Sequence, residues 1–359
     1  MSNESKIRAA VIGVGVGLNH IDGFQKHPQC DLAGICDVNP ATLNDRGDMF
    51  KVPVSRRFAN FDEMLKSTEL DAISIALPNF LHEPVALKCL QHGKHLLCEK
   101  PLSTDAASAQ RIVDAAKSAN KTLMVCYNHR YRPEIMWLKN MARNGDFGRI
   151  YAAKCGWLRE GWIPTHGQWF TQKERAGGGA LIDLGVHVLD LALWLMGYPQ
   201  PVSVSGSMFA EFGQRGQKTK PRDVKPEKFD VEDSGMGFVR FADNSVLQFE
   251  SQWASHREPN TDAYFVRLFG SEAGANFYTA APNGETVALY KHVNDHPSAI
   301  IPKLQPTQSG HITAVAHFIE CLLEGRGTES PGEHGVIGLK IIDGIYESAK
   351  TGREVILGN

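Results

Sequence analysis

The sequence predicts two domains, a doubly wound α/β domain with a parallel sheet first and an α+β domain after it. Three observations carry this expectation. The chain has 359 residues, more than one hydrophobic core usually organises. Its first third alternates short β-branched runs with amphipathic stretches, and after about Arg130 the pattern gives way to one dominated by strands.

The strands expected in the first third are Ile7–Ile12, Asp31–Cys36, Asp71–Ala76, His95–Cys98 and Thr122–Cys126. Between them lie the helix-like segments Pro84–His92 and Ala106–Ala119. Such alternation implies right-handed crossovers and a sheet covered by helices on both faces. Beyond it the spacing predicts a helix over Pro133–Asn144, a strand over Arg149–Leu158, an aromatic, glycine-rich stretch, and an apolar helix over Ala180–Met196. After Pro201 strands dominate. The clearest hairpin joins Gly237–Phe241 to Ser245–Trp253 through Ala242-Asp243-Asn244. In its second strand Leu247, Phe249 and Trp253 point one way while Gln248, Glu250 and Gln252 point the other. The apolar face needs a cover, and Ala180–Met196 is the candidate. Gly213–Lys228, rich in Lys, Pro, Gln and Gly, reads as a mobile excursion, and helices near Ile312–Leu323 and Val336–Ala349 follow. The expected division is 1–128 and 129–359. No internal repeat and no coiled-coil heptads are present.

Composition excludes several classes. Charged residues make up 22% and the formal net charge is -2, which offers no footprint for nucleic acid. Met-Ser-Asn-Glu-Ser-Lys runs straight into a strand-like segment without a basic, apolar or cleavable leader pattern, so a cytoplasmic location is expected. Asp183, His187 and Asp190 interrupt the most apolar segment, which argues against a membrane span. The seven cysteines are far apart, odd in number and without a C-x-x-C pair. They read as reduced, mostly buried thiols, and no close ligand spacing points to a metal site.

In Val11-Ile12-Gly13-Val14-Gly15-Val16-Gly17-Leu18 three glycines follow the first strand and open a helix. A dinucleotide pyrophosphate meets helix N–H groups at such a place. The usual third glycine falls at Leu18, so Gly17 supplies the close packing or the turn is shortened. Val16 and Leu18 join Gly13, Gly15 and Gly17 as candidate cofactor contacts. Asp37 ends the second strand twenty residues past Gly17, where a carboxylate accepts hydrogen bonds from a ribose diol and repels a 2′-phosphate. Its alternative is to cap the helix that begins near Pro40. With no Arg or Lys in Val38-Asn39-Pro40, NAD is expected over NADP, and a Rossmann-type domain is the expected fold.

Cys98-Glu99-Lys100-Pro101 ends the strand expected at His95–Cys98, at the carboxyl edge of the sheet, where a nicotinamide is expected. A lysine desolvated there suits acid–base work, whereas the plainer alternative is a surface lysine paired with Glu99. Leu77, Pro78, Asn79 and His82, after the strand expected at Asp71–Ala76, together with Glu99, Lys100 and Asn128, complete the candidate cofactor set. Asp183, His187 and Asp190 recur at i, i+4 and i+7 and form a polar stripe on an apolar helix. An Asp one turn before a His orients the imidazole and stabilises its cationic form.

The glycine-rich start, Glu99-Lys100-Pro101, Asn128-His129-Arg130 and the Asp183-x-Gly185-x-His187 helix resemble the Gfo/Idh/MocA oxidoreductase family, which includes inositol dehydrogenase and glucose-fructose oxidoreductase. The resemblance runs over nearly the whole chain. It implies that Lys100, Asp183 and His187 are the catalytic residues. It also implies a large, open, mostly antiparallel C-terminal sheet whose outer face forms homodimers or homotetramers. Sugars, sugar phosphates and cyclitols are the family's usual substrates.

The expected activity is reversible hydride transfer between a secondary alcohol carbon of a sugar or cyclitol and C4 of the nicotinamide. His187 takes the hydroxyl proton, Lys100 hydrogen-bonds the same oxygen, and Asp183 orients the histidine, with Lys100 and His187 able to exchange roles. A glycosidase using bound NAD for transient oxidation and a non-catalytic sensor are the alternatives. The aromatic stretch before the catalytic helix, with Trp157, Trp162 and Trp169 beside Arg159, Thr165, His166 and Gln168, suits a hydroxylated ring. Arg159, Trp162, His166 and Trp169 therefore join Lys100, Asp183 and His187 as candidate substrate contacts, with packing of the domain junction as the alternative for the aromatics.

Overall fold

The computed structural model describes residues 6–164, 169–218, 228–257, 263–280, 284–305 and 308–358. In chain order it begins β1 (Ile7–Ile12), α1 (Leu18–Lys26), β2 (Cys30–Cys36), α2 (Pro40–Met49), β3 (Arg57–Phe58), α3 (Phe61–Ser67), β4 (Ala72–Ile75), α4 (Asn79–Gln91), β5 (His95–Glu99), α5 (Ala106–Ser118) and β6 (Leu123–Cys126). It continues α6 (Pro133–Arg143), β7 (Ile150–Leu158), α7 (Lys173–Ala176), a π-helical turn at Leu181–Gly185, α8 (Val186–Met196), β8 (Pro201–Phe209), β9 (Ser234–Phe241), β10 (Val246–Gln252), β11 (Ala263–Gly270), β12 (Gly274–Tyr278), β13 (Val287–Val293) and β14 (His296–Ile300). Then come α9 (Gly310–Glu324), α10 (Gly332–Thr351) and β15 (Val355–Ile356). By its internal contacts the chain divides into two units. The first holds residues 1–103, 107–131 and 308–336, and the second holds 104–106, 132–307 and 337–359.

This division departs from the boundary expected near residue 128. Sequence order placed α9 with the second half, yet it packs in the first unit, where Ala314, Val315, Phe318 and Ile319 share a core with Ile21 and Phe24 of α1. The fit is close, since a Cβ on Gly23 would lie 2.7 Å from Cβ of Val315. Apolar periodicity marks a buried face without naming its partner.

In the first unit six parallel strands lie in the order β3-β2-β1-β4-β5-β6. The last four residues of β1 and all four of β4 are buried, as continuous apolar runs require when helices cover both faces. The order reverses between β1 and β4, and the loops at their carboxyl ends flank the crevice where such sheets bind ligands.

Among the described residues of the second unit nine strands run β14-β13-β12-β11-β7-β10-β9-β8-β15, with β7 and β10 parallel and the other pairs antiparallel. The predicted hairpin is β9–β10, paired from Ser234↔Gln252 to Arg240↔Val246. Leu247, Phe249 and Trp253 are buried, and α8 covers that face with ten of its eleven residues buried. Gly185 permits the approach, for a Cβ there would lie 2.6 Å from the Phe249 ring. The segment Lys173–Met196 is long and apolar enough to cross a membrane by length and composition, but 89% of its most apolar window is buried inside the protein, as in a core helix. All seven cysteines are buried and unpaired with one another. Within the expected mobile excursion, Gly213–Arg215 forms a short 3-10 turn and residues 219–227 lie outside the described residues.

Candidate active site

The glycine loop after β1 is shaped by two close approaches and one opening. Gly13 has φ +87°, and a Cβ there would sit 2.3 Å from the Ala76 carbonyl oxygen. A Cβ on Gly17 would sit 2.0 Å from the Gly13 carbonyl oxygen, so Gly17 does supply the close packing expected of a displaced third glycine. At Gly15 a Cβ would meet nothing within 4 Å, and Val16 beside it is 55% exposed. Leu18 opens α1, whose N-terminus has no side-chain cap and no acidic residue in its first turn. The first-turn N–H groups turn back onto the carbonyls of Gly15, Val16 and Gly17, so what fits a dinucleotide pyrophosphate is the open space over Gly15, the positive end of the helix dipole and the absence of an acidic side chain in that turn.

Asp37 is half-buried at the end of β2. Its Oδ2 accepts the Val14 N–H at 3.0 Å and its Oδ1 accepts the Asn39 N–H at 2.9 Å. The alternative role in helix capping falls to Asn39, whose Oδ1 accepts the N–H groups of Ala41 and Thr42. Each carboxylate oxygen of Asp37 keeps lone-pair capacity for a further donor, as a ribose diol would supply.

After β4, Leu77 packs toward Gly13, where a Cβ would lie 3.0 Å from Leu77 Cδ2. Pro78 precedes α4 as its N-cap and Asn79, only 5% exposed, begins it. His82 is fully buried, with Nδ1 2.8 Å from the Pro101 carbonyl oxygen and Nε2 2.8 Å from the Leu77 carbonyl oxygen. It ties the loop after β4 to the loop that carries Lys100, so any hold it has on a cofactor runs through its neighbours. Burial pushes its pKa down. Glu99 ends β5 as a buried carboxylate bonded to His20 at 2.9 Å. Glu99 also accepts the Lys100 backbone N–H at 3.2 Å, and Lys100 is half-buried rather than on the open surface. Asn128, half-buried, opens the 3-10 turn Asn128–Tyr131.

In the second unit the π-helical turn carries Asp183, and His187 follows in α8. Asp183 Oδ2 accepts a hydrogen bond from Trp253 Nε1 at 2.9 Å. His187 is 8% exposed and its ring lies 5.7 Å from that of Trp157, which in turn lies 4.7 Å from the Tyr264 ring. The Arg159 guanidinium stands 5.0 Å over Trp157. Asp190, the third member of the stripe, accepts the Tyr198 hydroxyl and is 2% exposed. The structure thus brings Trp157, Arg159, Asp183 and His187 into one neighbourhood. Trp162 is 60% exposed with φ +127°, Trp169 stacks on Phe170 at 3.9 Å, and His166, Thr165 and Gln168 lie outside the described residues.

Two supports of this helix escaped the sequence reading. Trp253 read only as a core residue, although a buried indole N–H generally demands an acceptor. Glu232 accepts the N–H groups of Gly179 and Leu181 at 2.9 and 3.0 Å and the Tyr346 hydroxyl at 3.0 Å, which fixes the entry to the π turn. Burial pushes its pKa up despite these bonds. A cavity of about 590 Å³ lies elsewhere, over the sheet's outer face between Lys154, Met236, Phe238, Gln248, Glu250 and Arg353.

Residues 7–127 match the oxidoreductase family with the NAD-binding Rossmann fold, and residues 135–276 match the GFO/IDH/MocA C-terminal domain. The chain belongs to the Gfo/Idh/MocA family. It is 27% identical over 356 residues to D-glucoside 3-dehydrogenase of Escherichia coli (strain K12), covering 98% of each chain. It is 28% identical over 258 residues to levoglucosan dehydrogenase of Pseudarthrobacter phenanthrenivorans, covering 68% of this chain and 64% of that one. The structure of levoglucosan dehydrogenase in complex with NADH shares its fold with a TM-score of 0.86 and 22% identity, covering 99% of this chain and 100% of the other. This Gfo/Idh/MocA protein is therefore an oxidoreductase with an NAD-binding Rossmann domain, in a family whose relatives include sugar dehydrogenases.

Proposed function

We propose that the protein transfers a hydride between nicotinamide C4 and a secondary alcohol carbon of a ring-shaped sugar, free or glycosidically linked, or of a cyclitol. The observation that carries this reading is the neighbourhood of His187. Its imidazole sits against Trp157, with Asp183 anchored on the same helical segment and Arg159 over the indole. An indole face packs against the apolar face of a sugar ring, and a cation beside it donates to hydroxyls. The full-length likeness to a D-glucoside 3-dehydrogenase supports a glycoside in particular.

The cofactor's part is to accept or return a hydride at C4. Gly13, Gly15, Gly17 and the start of α1 would hold its pyrophosphate, and Asp37 would hold the ribose diol and disfavour a 2′-phosphate. In the oxidation direction His187 removes the hydroxyl proton. Lys100 donates a hydrogen bond to the same oxygen and stabilises the negative charge developing there. Asp183, kept in place by Trp253, orients the imidazole. The functional boundary follows the two structural units, with the cofactor in the first and the substrate on the second. The second unit's outer sheet face, where Met236 is 43% exposed beside Phe238 and Phe265, takes a second copy of the chain.

The test is a panel of methyl glycosides, aldohexoses, inositols, sugar phosphates and simple diols, followed by NADH absorbance with NAD and NADP. A glycoside or cyclitol used with a higher kcat/KM for NAD is expected. Lys100→Met and His187→Ala each lower kcat about 100-fold or more while NAD still binds. Turnover of acyclic diols or phosphates alone rejects the substrate, a preference for NADP rejects the role of Asp37, and near-normal kcat in either variant removes that residue from the mechanism. Glycoside cleavage without net NADH marks a glycosidase instead.

A further inference from the structure

Beneath the end of β5 a polar cluster interrupts the apolar core of the first unit. His20 from α1, Glu99 from β5, Cys126 from β6 and His311 from α9 place one potential ligand atom each within 4.8 Å of the others. His20 is 0% exposed and Glu99 is 6% exposed. His20 Nδ1 meets the hydroxyl of Ser74, buried in β4, and Nε2 lies 2.9 Å from Glu99 Oε1. His311 Nε2 lies 3.6 Å from that same oxygen, and its ring centroid is 5.9 Å from that of His20. Glu99 Oε2 accepts the backbone N–H of Lys100 at 3.2 Å.

Taking a carboxylate out of water is costly unless it is paired and hydrogen-bonded. Burial alone would raise the Glu99 pKa, but the His20 hydrogen bond, helped by His20, His311 and Lys100 nearby, outweighs it and holds the carboxyl at about 2. Glu99 is then an ionised acceptor, so His20 Nε2 must carry the hydrogen of that bond. Four elements, α1, β5, β6 and α9, meet at one carboxylate whose second oxygen grips the peptide of Lys100, and Ser74 of β4 holds the far side of His20. An arrangement needed only to fill the core would place an apolar side chain here at lower cost.

We propose that His20, assisted by His311, is a positioning residue for the reaction. By keeping Glu99 ionised and fixed, it fixes the peptide from which the Lys100 side chain departs. The proposal rests on the hydride-transfer reading of Lys100. His20→Leu removes the donor at similar volume, and His20→Gln restores a donor that reaches Glu99. In the NAD-free protein, His20→Leu speeds hydrogen exchange at the Lys100 amide at least tenfold, and His20→Gln returns most of the protection. With methyl glucoside and NAD, or the most active compound of the panel, His20→Leu lowers kcat at least tenfold and changes KM less than threefold. His20→Gln recovers at least a third of the turnover. In a Glu99→Gln background the His20→Leu substitution costs little more, because the two act in series.

Unchanged Lys100 exchange in His20→Leu overturns the proposal. So does equal loss in the Leu and Gln variants, or full additivity with Glu99→Gln. Stoichiometric zinc in the purified protein, lost in His20→Leu, overturns it by making the cluster a metal centre. Normal turnover in Lys100→Met sinks the underlying hydride-transfer reading, whereas a dead Lys100→Met beside a fully active His20→Leu sinks this proposal alone.

Discussion

Three alanine substitutions in the glycine loop separate what holds the fold from what holds the cofactor. At Gly13, φ +87° costs a non-glycine residue about 1–2 kcal/mol. The added methyl, 2.3 Å from the Ala76 oxygen, contributes a further 1–3 kcal/mol or so of overpacking. The sum for Gly13→Ala is a loss of about 2–5 kcal/mol. At Gly17 the backbone is helical, φ -58° and ψ -10°, so only the 2.0 Å clash with the Gly13 oxygen and the 2.9 Å approach to Val11 Cγ1 count. Gly17→Ala loses about 1–3 kcal/mol, reduced by the lower chain entropy of alanine when unfolded. Gly15 has open space, so Gly15→Ala leaves stability unchanged or raises it by up to about 1 kcal/mol. Its methyl would stand where the backbone approaches the pyrophosphate, and NAD affinity falls at least tenfold. Thermal melting of the NAD-free protein and NAD titration by intrinsic fluorescence read the two effects separately, at about 2–4 °C per kcal/mol for domains of 150–250 residues. Wild-type NAD affinity in Gly15→Ala, or a melting loss there equal to that of Gly13→Ala, would refute the assignment.

Trp253→Phe keeps an aromatic ring in the core but removes the N–H that holds Asp183. It is expected to lower kcat about tenfold and stability by about 1.5–3 kcal/mol, the usual worth of a hydrogen bond to a charged group. Steady-state kinetics and melting check this, and an unaltered kcat removes Trp253 from the support of the site. Asp343 has its carboxyl pushed up from 3.8 to about 6 by burial, with Asp105 adding repulsion, while it accepts the Ala106 N–H. The folded protein therefore holds a proton that the unfolded chain has released. The associated stability is present below about pH 4 and is lost as pH rises through 6, a change of about 3 kcal/mol at 1.36 kcal/mol per unit. Asp343→Asn keeps the acceptor and abolishes this component. Melting curves at pH 4 and 7.5 are expected to diverge between the two proteins, and parallel behaviour would show that Asp343 does not titrate in this way.

Much of the first unit was legible because its signals are local. β1 is found at Ile7–Ile12 as its β-branched run predicts, and Gly13, Gly15 and Gly17 announce a turn at a strand end. The two-residue β3 is too short to leave a periodic trace. The helix at α9 was visible, but its place against α1 depends on contacts between residues nearly three hundred positions apart, and no local pattern specifies them. In the second unit the inward face of β10 was readable from alternation, and Asp183 and His187 from their spacing. The hydrogen bond from Trp253 to Asp183 spans 70 residues. The π turn was invisible for a different reason, since Leu181–Gly185 has the same apolar character as the α-helix it interrupts.

That turn winds one residue more into the helix than regular α geometry accommodates. Each residue of an α-helix accounts for about 100° of rotation. Deleting any one residue between 181 and 185 would regularise the backbone hydrogen bonds while swinging every side chain of α8 by that angle. His187 would leave Trp157, and the ten buried residues of α8 would meet the sheet with the wrong flank. The irregular winding therefore persists because the packed flank of α8 acts as a key in its slot. Its angular phase, more than its backbone economy, decides where the imidazole points.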